Sequence, residues 1–432
     1  MRFPVFVGDH AVDRLVAFLK EKGFQKLALV DDSNTHAVLG AQVESTLRAN
    51  GLDVNLICLP SAPGQRIKAS DEMLIRVITR ARRDEHIFIS AGGGTLTDIT
   101  RFSSFTRNTP FIAVPTAPSV DGYTSMGAPL IMAGLKQTVT CQAPLAVFAD
   151  LPTLCAAPAE MIASGFGDMV CKLNASVDWQ LGRLLIDEPF DAAICQRSYA
   201  AAQDCAEHAS AIGTRDRQAI QGLMENLVES GFAMLDFGQS HPASGAEHHI
   251  GHFWEMKLLA EHRPTILHGA EVGMAAVLTS TIFQQLAQLS SADVQDRLAH
   301  AVQPTQQDEL AAIRAAFGPM AEDVIAIQRP FLDMTPDAYA ELKQRLIARW
   351  DEVRAILPLA PAPTAMQHLL REAGGVDTPT QLGLNADDIS VALRSAHYLR
   401  NRLTALKLVH LFQLIDLNLV QVQDKPAKEV PM

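Results

Sequence analysis

The six cysteines, Cys58, Cys141, Cys155, Cys171, Cys195 and Cys205, form no C-x-x-C pair and fall at irregular intervals along 432 residues. Such spacing suggests neither a zinc knuckle nor a disulfide framework and fits the reducing cytoplasm. The opening Met1-Arg-Phe-Pro-Val-Phe-Val7 lacks the apolar core and small-residue cleavage site of a secretory leader. No later apolar run reaches membrane-spanning length without a polar interruption, so no membrane partner is expected. Excess basic charge is also missing: 36 Lys and Arg against 48 Asp and Glu leave a formal net charge of −12, which argues against nucleic acid as a partner. No internal repeat or low-complexity tract is visible. What is present is a chain with 48% hydrophobic residues, able to bury a large core divided among two or three domains.

Short apolar runs at 26–30, 54–59, 86–90, 111–114 and 145–149 read as strands, and the helical periodicities at 11–22, 35–50 and 71–82 read as helices covering them. The expected fold of residues 1–152 is a Rossmann-like α/β nucleotide-binding domain with a mostly parallel sheet. The usual G-x-G-x-x-G after the first strand is missing, and the glycines of Ala91-Gly-Gly-Gly-Thr95 instead follow the third of these runs. Beyond Asp150-Leu-Pro152 strand-like runs largely vanish, so 153–432 is expected to be an all-helical domain. Helix starts are marked near Pro158, near Pro336 with Thr335 as cap, and near Asp387 with Asn385 and Asp387 as caps. The polar tail 423–432, with two prolines, reads as loose.

Several residue patterns suggest chemistry. A Gly92-Gly93-Gly94 turn between a strand and a helix lets backbone N–H groups approach a phosphate, although such turns more often only reverse the chain. Asp31 ends a strand where an adenosine ribose can be held, and Asp32 beside it would repel a 2′-phosphate; both acids can equally begin an ordinary loop. The loop after the fourth run, with Asp121, Tyr123, Thr124 and Ser125, lies where ligand crevices of open α/β sheets form, or is simply a surface loop. Asp168, His248 and His268 occupy three separate motifs, and one carboxylate with two imidazoles leaves a position open on a divalent ion. Asp168 and Lys172, four residues apart, would share a helical face, as would His248 and His252. His249 and His262 read as structural or solvent-facing.

Together the segments Gly92-Gly-Gly-Thr-Leu-Thr-Asp98, Pro115-Thr-Ala-Pro-Ser-Val-Asp-Gly-Tyr-Thr-Ser125, Ala163-Ser-Gly-Phe-Gly-Asp-Met-Val-Cys-Lys172, Ser244-Gly-Ala-Glu-His-His-Ile-Gly-His-Phe-Trp-Glu255 and Leu267-His-Gly269 resemble the sn-glycerol-1-phosphate dehydrogenases. The likeness is to their bacterial AraM-like branch, within the iron-dependent alcohol dehydrogenase and dehydroquinate synthase-like superfamily. The resemblance covers nearly the whole chain. It implies reversible reduction of dihydroxyacetone phosphate to sn-glycerol 1-phosphate with NADH or NADPH, in a cytoplasmic homodimer. It also implies one divalent metal, whether zinc, nickel or iron, held by Asp168, His248 and His268. Gly93, Gly94, Thr95 and Asp98 are implied near the pyrophosphate and nicotinamide, Thr116, Ser119 and Ser125 along the cofactor, and Asp121 facing substrate. Lys172 is the candidate for the substrate phosphate and His252 for proton transfer. The alternatives are a glycerol dehydrogenase acting on unphosphorylated glycerol, a dehydroquinate synthase-like lyase and a non-catalytic binding module. The lyase is disfavoured because Asp168 stands where the lyases resemble a glutamate, and the binding module because the candidate ligands are intact.

Overall fold

The computed structural model describes residues 2–62, 65–132 and 135–420; the tail 423–432 lies outside the described residues. Two compact units result, one formed by 1–169 with 210–238 and the other by 170–209 with 239–432. The sheet ends at Asp150, close to the expected boundary at 152, but the unit containing it continues through Met169 and takes in the later segment Ser210–Gly238.

In the first unit, strands β1 (Val5–Gly8), β2 (Lys26–Asp32), β3 (Asp53–Leu59), β4 (Ile87–Gly92), β5 (Phe111–Pro115) and β8 (Ala146–Asp150) form one parallel sheet in the order β1-β8-β5-β4-β2-β3. Alternation along the strands explains why both faces are covered. Leu27, Leu29, Ile87, Ile89, Ile112 and Val114 enter one core with the helices Ala11–Glu21 and Ala41–Ala49. Ala28, Val30, Phe88, Phe111 and Ala113 enter the opposite core with Leu74, Val77, Leu96 and Ile99 of the helices Asp71–Arg80 and Gly94–Thr106. A period-two strand buried on both faces is the signature of a parallel sheet between helical layers.

Three features depart from the sequence reading. β1 is an additional edge strand paired with β8, and β6 (Gly127–Met132) with β7 (Leu135–Thr140) forms an antiparallel hairpin in a stretch with no predicted strand. The single helix expected at 35–50 is instead a short turn Ser33–Thr35, a π-helical segment His36–Gly40 and the helix Ala41–Ala49. The wider turn accommodates a side-chain pair, since His36 Nδ1 lies 2.7 Å from Asp31 Oδ2 and a Cβ on Gly40 would overlap that carboxylate.

The second unit has no strand among its described residues. Its helices start where the sequence marks them: Thr335 caps Pro336–Ala348 by accepting from the Ala338 N–H, and Asn385 caps Ala386–Ser395 in a box with Asp388. Asp387 sits inside the first turn, so Asn385 alone is the cap. No helix of the described residues is long and apolar enough to cross a membrane.

Candidate functional site

Strand order locates a candidate ligand crevice in the first unit. From β2 the chain first adds β3 on one side, then returns to place β4 on the other, so the order reverses between β2 and β4. In open α/β sheets ligands bind at the carboxyl ends of the strands flanking such a reversal. Asp31 and Asp32 end β2 there, and Gly92 ends β4. Gly93 is the N-cap of the helix Gly94–Thr106, whose first-turn N–H groups have no intrahelical acceptor and can face an anion. The glycines differ in purpose. A Cβ on Gly92 would overlap Leu96, and one on Gly94 would lie 2.8 Å from Val120, so both permit close packing, whereas Gly93 has only a Met161 methyl at 3.4 Å. Gly93 therefore leaves the N-terminus of this helix approachable.

Asp31 is fully buried, and desolvation raises its pKa despite the His36 hydrogen bond. The Asp32 carboxylate accepts from the Asn34 and Thr35 N–H groups and caps its turn. Asp98 pairs at 2.6 Å with Arg101, and burial pushes its pKa up to about 7 against the attraction of Arg101 and Lys136. Arg101, which the sequence reading did not single out, is fully buried and also donates to the Gly122 and Gly127 carbonyls at 2.6 and 2.7 Å. It thereby fastens the glycine-led helix to the loop after β5.

That loop carries most of the remaining candidates. The Thr116 N–H donates to Gly92 O at 3.3 Å, Ser119 Oγ lies 3.2 Å from the Tyr123 hydroxyl, and Ser125 Oγ donates to Gly127 O. The Asp121 N–H donates to Asp168 Oδ2 at 2.9 Å, while its carboxylate accepts from Ser230 Oγ at 2.8 Å. Two helices clamp the loop through glycines. A Cβ on Gly165 of Ala159–Val170 would overlap the Pro118 carbonyl, and one on Gly231 of Arg217–Phe237 would overlap Thr124 and lie 2.9 Å from Asp121 O. Asp121 and Asp168 are thus brought together on a backbone that permits little displacement.

In the second unit the helix Ala246–Ala260 places His248 and His252 one turn apart, and His268 opens the helix His268–Ala287. The helices cross closely at Gly251, where a Cβ would meet Val272 at 2.9 Å. The three imidazoles cluster, with centroids 5.3 Å apart for His248–His268 and His252–His268 and 6.0 Å for His248–His252. His252 is the most open of the helix pair and stacks on His268 at 19°. His249, by contrast, is buried behind them, and desolvation holds its pKa well below the ordinary value. Lys172 opens the helix Lys172–Ile186 and is fully buried. The sequence reading also passed over Glu247, whose carboxylate meets His248 Nδ1 at 2.9 Å; its one signal was its place beside a candidate ligand.

Residues 6–158 match the family model described as iron-containing alcohol dehydrogenase. Over 404 residues the chain is 38% identical to a glycerol-1-phosphate dehydrogenase [NAD(P)+] of Geobacillus stearothermophilus, covering 93% of this chain and 90% of that protein. Among solved structures, an iron-containing alcohol dehydrogenase from Corynebacterium glutamicum superposes with a TM-score of 0.60 at 15% identity, covering 98% of each chain. A sulfoacetaldehyde reductase from Bifidobacterium kashiwanohense, solved in complex with NAD+, gives 0.58 at 12% identity over 94% of this chain and 96% of that one.

Proposed function

Because this chain belongs to the glycerol-1-phosphate dehydrogenase family, we propose that it is an NAD(P)-dependent oxidoreductase interconverting dihydroxyacetone phosphate and glycerol 1-phosphate. Full-length kinship carries this reading. The anion-ready helix N-terminus in the first unit and the imidazole cluster in the second both agree with it.

The imidazole cluster fits a divalent metal: His248 and His268 offer imidazole nitrogens, and a carboxylate already engages His248 through its Nδ1. Asp168, His248 and His268 would hold the ion, which supplies Lewis-acid polarisation of a carbonyl when bound. Zinc, nickel and iron all suit this donor set. Around it the chain's own groups have separate tasks. Gly93, Gly94 and Thr95 receive the pyrophosphate through backbone N–H groups, with Asp98 keeping the helix docked through Arg101. Thr116, Ser119 and Ser125 shape the loop along the cofactor, and Asp31 meets the adenosine ribose. Asp121, fixed by Ser230, orients substrate. Lys172 offers its ammonium to the substrate phosphate. The nicotinamide, when bound, would supply hydride to the ketone carbon, and His252 is the residue that would donate the proton the product hydroxyl needs. The enzyme works as a cytoplasmic homodimer, an arrangement that light scattering and fractionation test directly.

The deciding assay uses metal-stripped protein, with zinc, nickel and iron added back singly and dihydroxyacetone phosphate, dihydroxyacetone and glycerol compared. Turnover of the phosphorylated ketone should dominate; preference for the unphosphorylated ketone or glycerol would replace this reading with a glycerol dehydrogenase.

A further inference from the structure

His248 has two ring nitrogens, and only one can face a metal. In the neutral ring one nitrogen donates and the other carries a lone pair, so whichever group meets the first decides the chemistry of the second. Nδ1 lies 2.9 Å from Glu247 Oε1, and that same oxygen accepts the Gly245 N–H at 2.7 Å. A carboxylate oxygen only accepts, and this one already accepts from Gly245, so the contact favours a proton on Nδ1 and leaves Nε2 as the nitrogen for a ligand. Cys171 Sγ, at 4.0 Å from Nδ1, is a distant and much weaker neighbour.

The carboxylate is itself held in place. Glu247 is fully buried and folds back over the start of its own helix. The next N–H, of Ala246, donates to Asp178 Oδ2 at 2.7 Å, and the other oxygen of Asp178 accepts from Ala405 N at the same distance. Both carboxylates crowd Gly245, where a Cβ would lie 2.7 Å from Asp178 Oδ2 and 2.8 Å from Glu247 Oε2. Only a residue without a side chain lets the two acids approach this helix end together.

We propose that Glu247 is a positioning residue that fixes His248 as the Nδ1–H tautomer, turns Nε2 toward the metal and raises its donor strength. The inference rests on reading His248 as a ligand. A buried anion hydrogen-bonded to the remote nitrogen stabilises the positive charge that an imidazole takes on when it ligates a cation. Outer partners of this kind typically account for about 10- to 100-fold in metal affinity.

The test combines histidine nitrogen NMR with zinc titration. Metal-free wild-type protein with nitrogen-15 histidine should show His248, assigned by the loss of its signals in His248→Asn, with a protonated Nδ1 and a bare Nε2. Zinc affinity, measured by competition with a chelator, should fall about 100-fold in Glu247→Ala and about 10-fold in Glu247→Gln, which keeps an acceptor but no charge. A wild-type His248 protonated at Nε2 overturns the proposal without any variant having to fold, as does a Glu247→Gln protein that binds zinc within twofold of wild type and keeps the same tautomer. If His248→Asn binds zinc like wild type, the ligand reading itself is wrong; if His248→Asn loses zinc while the Glu247 variants keep it, only the positioning role is.

Discussion

Replacing Gly165 by alanine should damage the enzyme even though alanine is the better helix former. In an exposed helix interior the exchange stabilises by about 1 kcal/mol, because glycine surrenders more backbone entropy on folding. At position 165 the new Cβ would overlap the Pro118 carbonyl oxygen and lie 2.8 Å from its carbon, well inside an ordinary contact of 3.4–4 Å. Helix and loop must then separate by more than about 1 Å to clear an oxygen only 1.8 Å away, a change of the overpacking kind that costs about 1–3 kcal/mol. Two bonds span that gap, Ser164 Oγ to Ser119 O at 3.2 Å and Asp121 N to Asp168 Oδ2 at 2.9 Å. Losing the second removes a charge-assisted bond worth about 1.5–3 kcal/mol. The net loss in unfolding free energy should therefore be about 1.5–5 kcal/mol, and a displacement of this size at a reacting group should lower kcat/KM about 100-fold.

Gly222→Ala is the matched control. It lies in the helix Arg217–Phe237, where a Cβ would meet nothing within 4 Å, so it should stabilise by up to about 1 kcal/mol and leave kinetics unchanged. Thermal or urea unfolding, with steady-state rates on dihydroxyacetone phosphate, reads both. A Gly165→Ala protein that gains stability as Gly222→Ala does and keeps wild-type kcat/KM would refute the claim that the loop's position depends on this contact.

Further outcomes follow from other parts of the molecule. His268→Ala should lose metal and turnover together while its circular dichroism stays native; full metal occupancy in that variant would remove His268 from the ligand set. Lys172→Ala should depress kcat/KM for dihydroxyacetone phosphate by about 100-fold while scarcely affecting dihydroxyacetone, and equal losses on both would assign Lys172 to structure. NADH should be preferred over NADPH by about tenfold, roughly 1.4 kcal/mol, and neutralising Asp31 should narrow the gap; a clear NADPH preference contradicts the placement. Lys407 is buried over Phe331 and Tyr398, donates to Gln328, and has its pKa pushed down to about 7 by desolvation. Its unfolded-state pKa is higher, so the unfolded chain binds the extra proton between about pH 7 and 10.4 and wild-type stability should rise with pH across that window relative to Lys407→Met. Parallel melting curves for the two proteins over that range would contradict the assignment.

How much of this could be read from the residues varies by element. The strands at 26–30, 54–59, 86–90, 111–114 and 145–149 were legible because each is an apolar run between helical periodicities, and all five recur within a strand or two residues of it. β1 was not, because four residues after Pro4 give no alternation to count, and its partial burial comes from pairing with β8, 142 positions away. The hairpin of β6 and β7 was hidden by Gly127, Pro129 and polar positions that resemble a loop. His248 and His252 could be placed on one helical face by spacing alone, but their approach to His268 depends on a helix crossing no local pattern specifies. The same limit applies to Arg217–Phe237. Its periodicity says that it is a helix, not that it belongs with the sheet unit and contributes Ser230 to Asp121.

Glycine accounts for the precision of what could not be read. Gly165 and Gly231 let two helix backbones reach the loop carrying Asp121, Gly251 lets the two histidine-bearing helices cross, and Gly245 admits two carboxylates at one helix end. In each case the functional side chain is a few residues from the glycine, on a backbone that any Cβ would push away. Such contacts contribute little hydrophobic area, so composition and periodicity are nearly blind to them, yet they set distances on the scale that governs ligation and hydride transfer. The glycines inside the helical motifs are therefore better guides to this site than its charged residues alone, because in a helix interior each costs about 1 kcal/mol relative to alanine and needs a close approach to offset that cost.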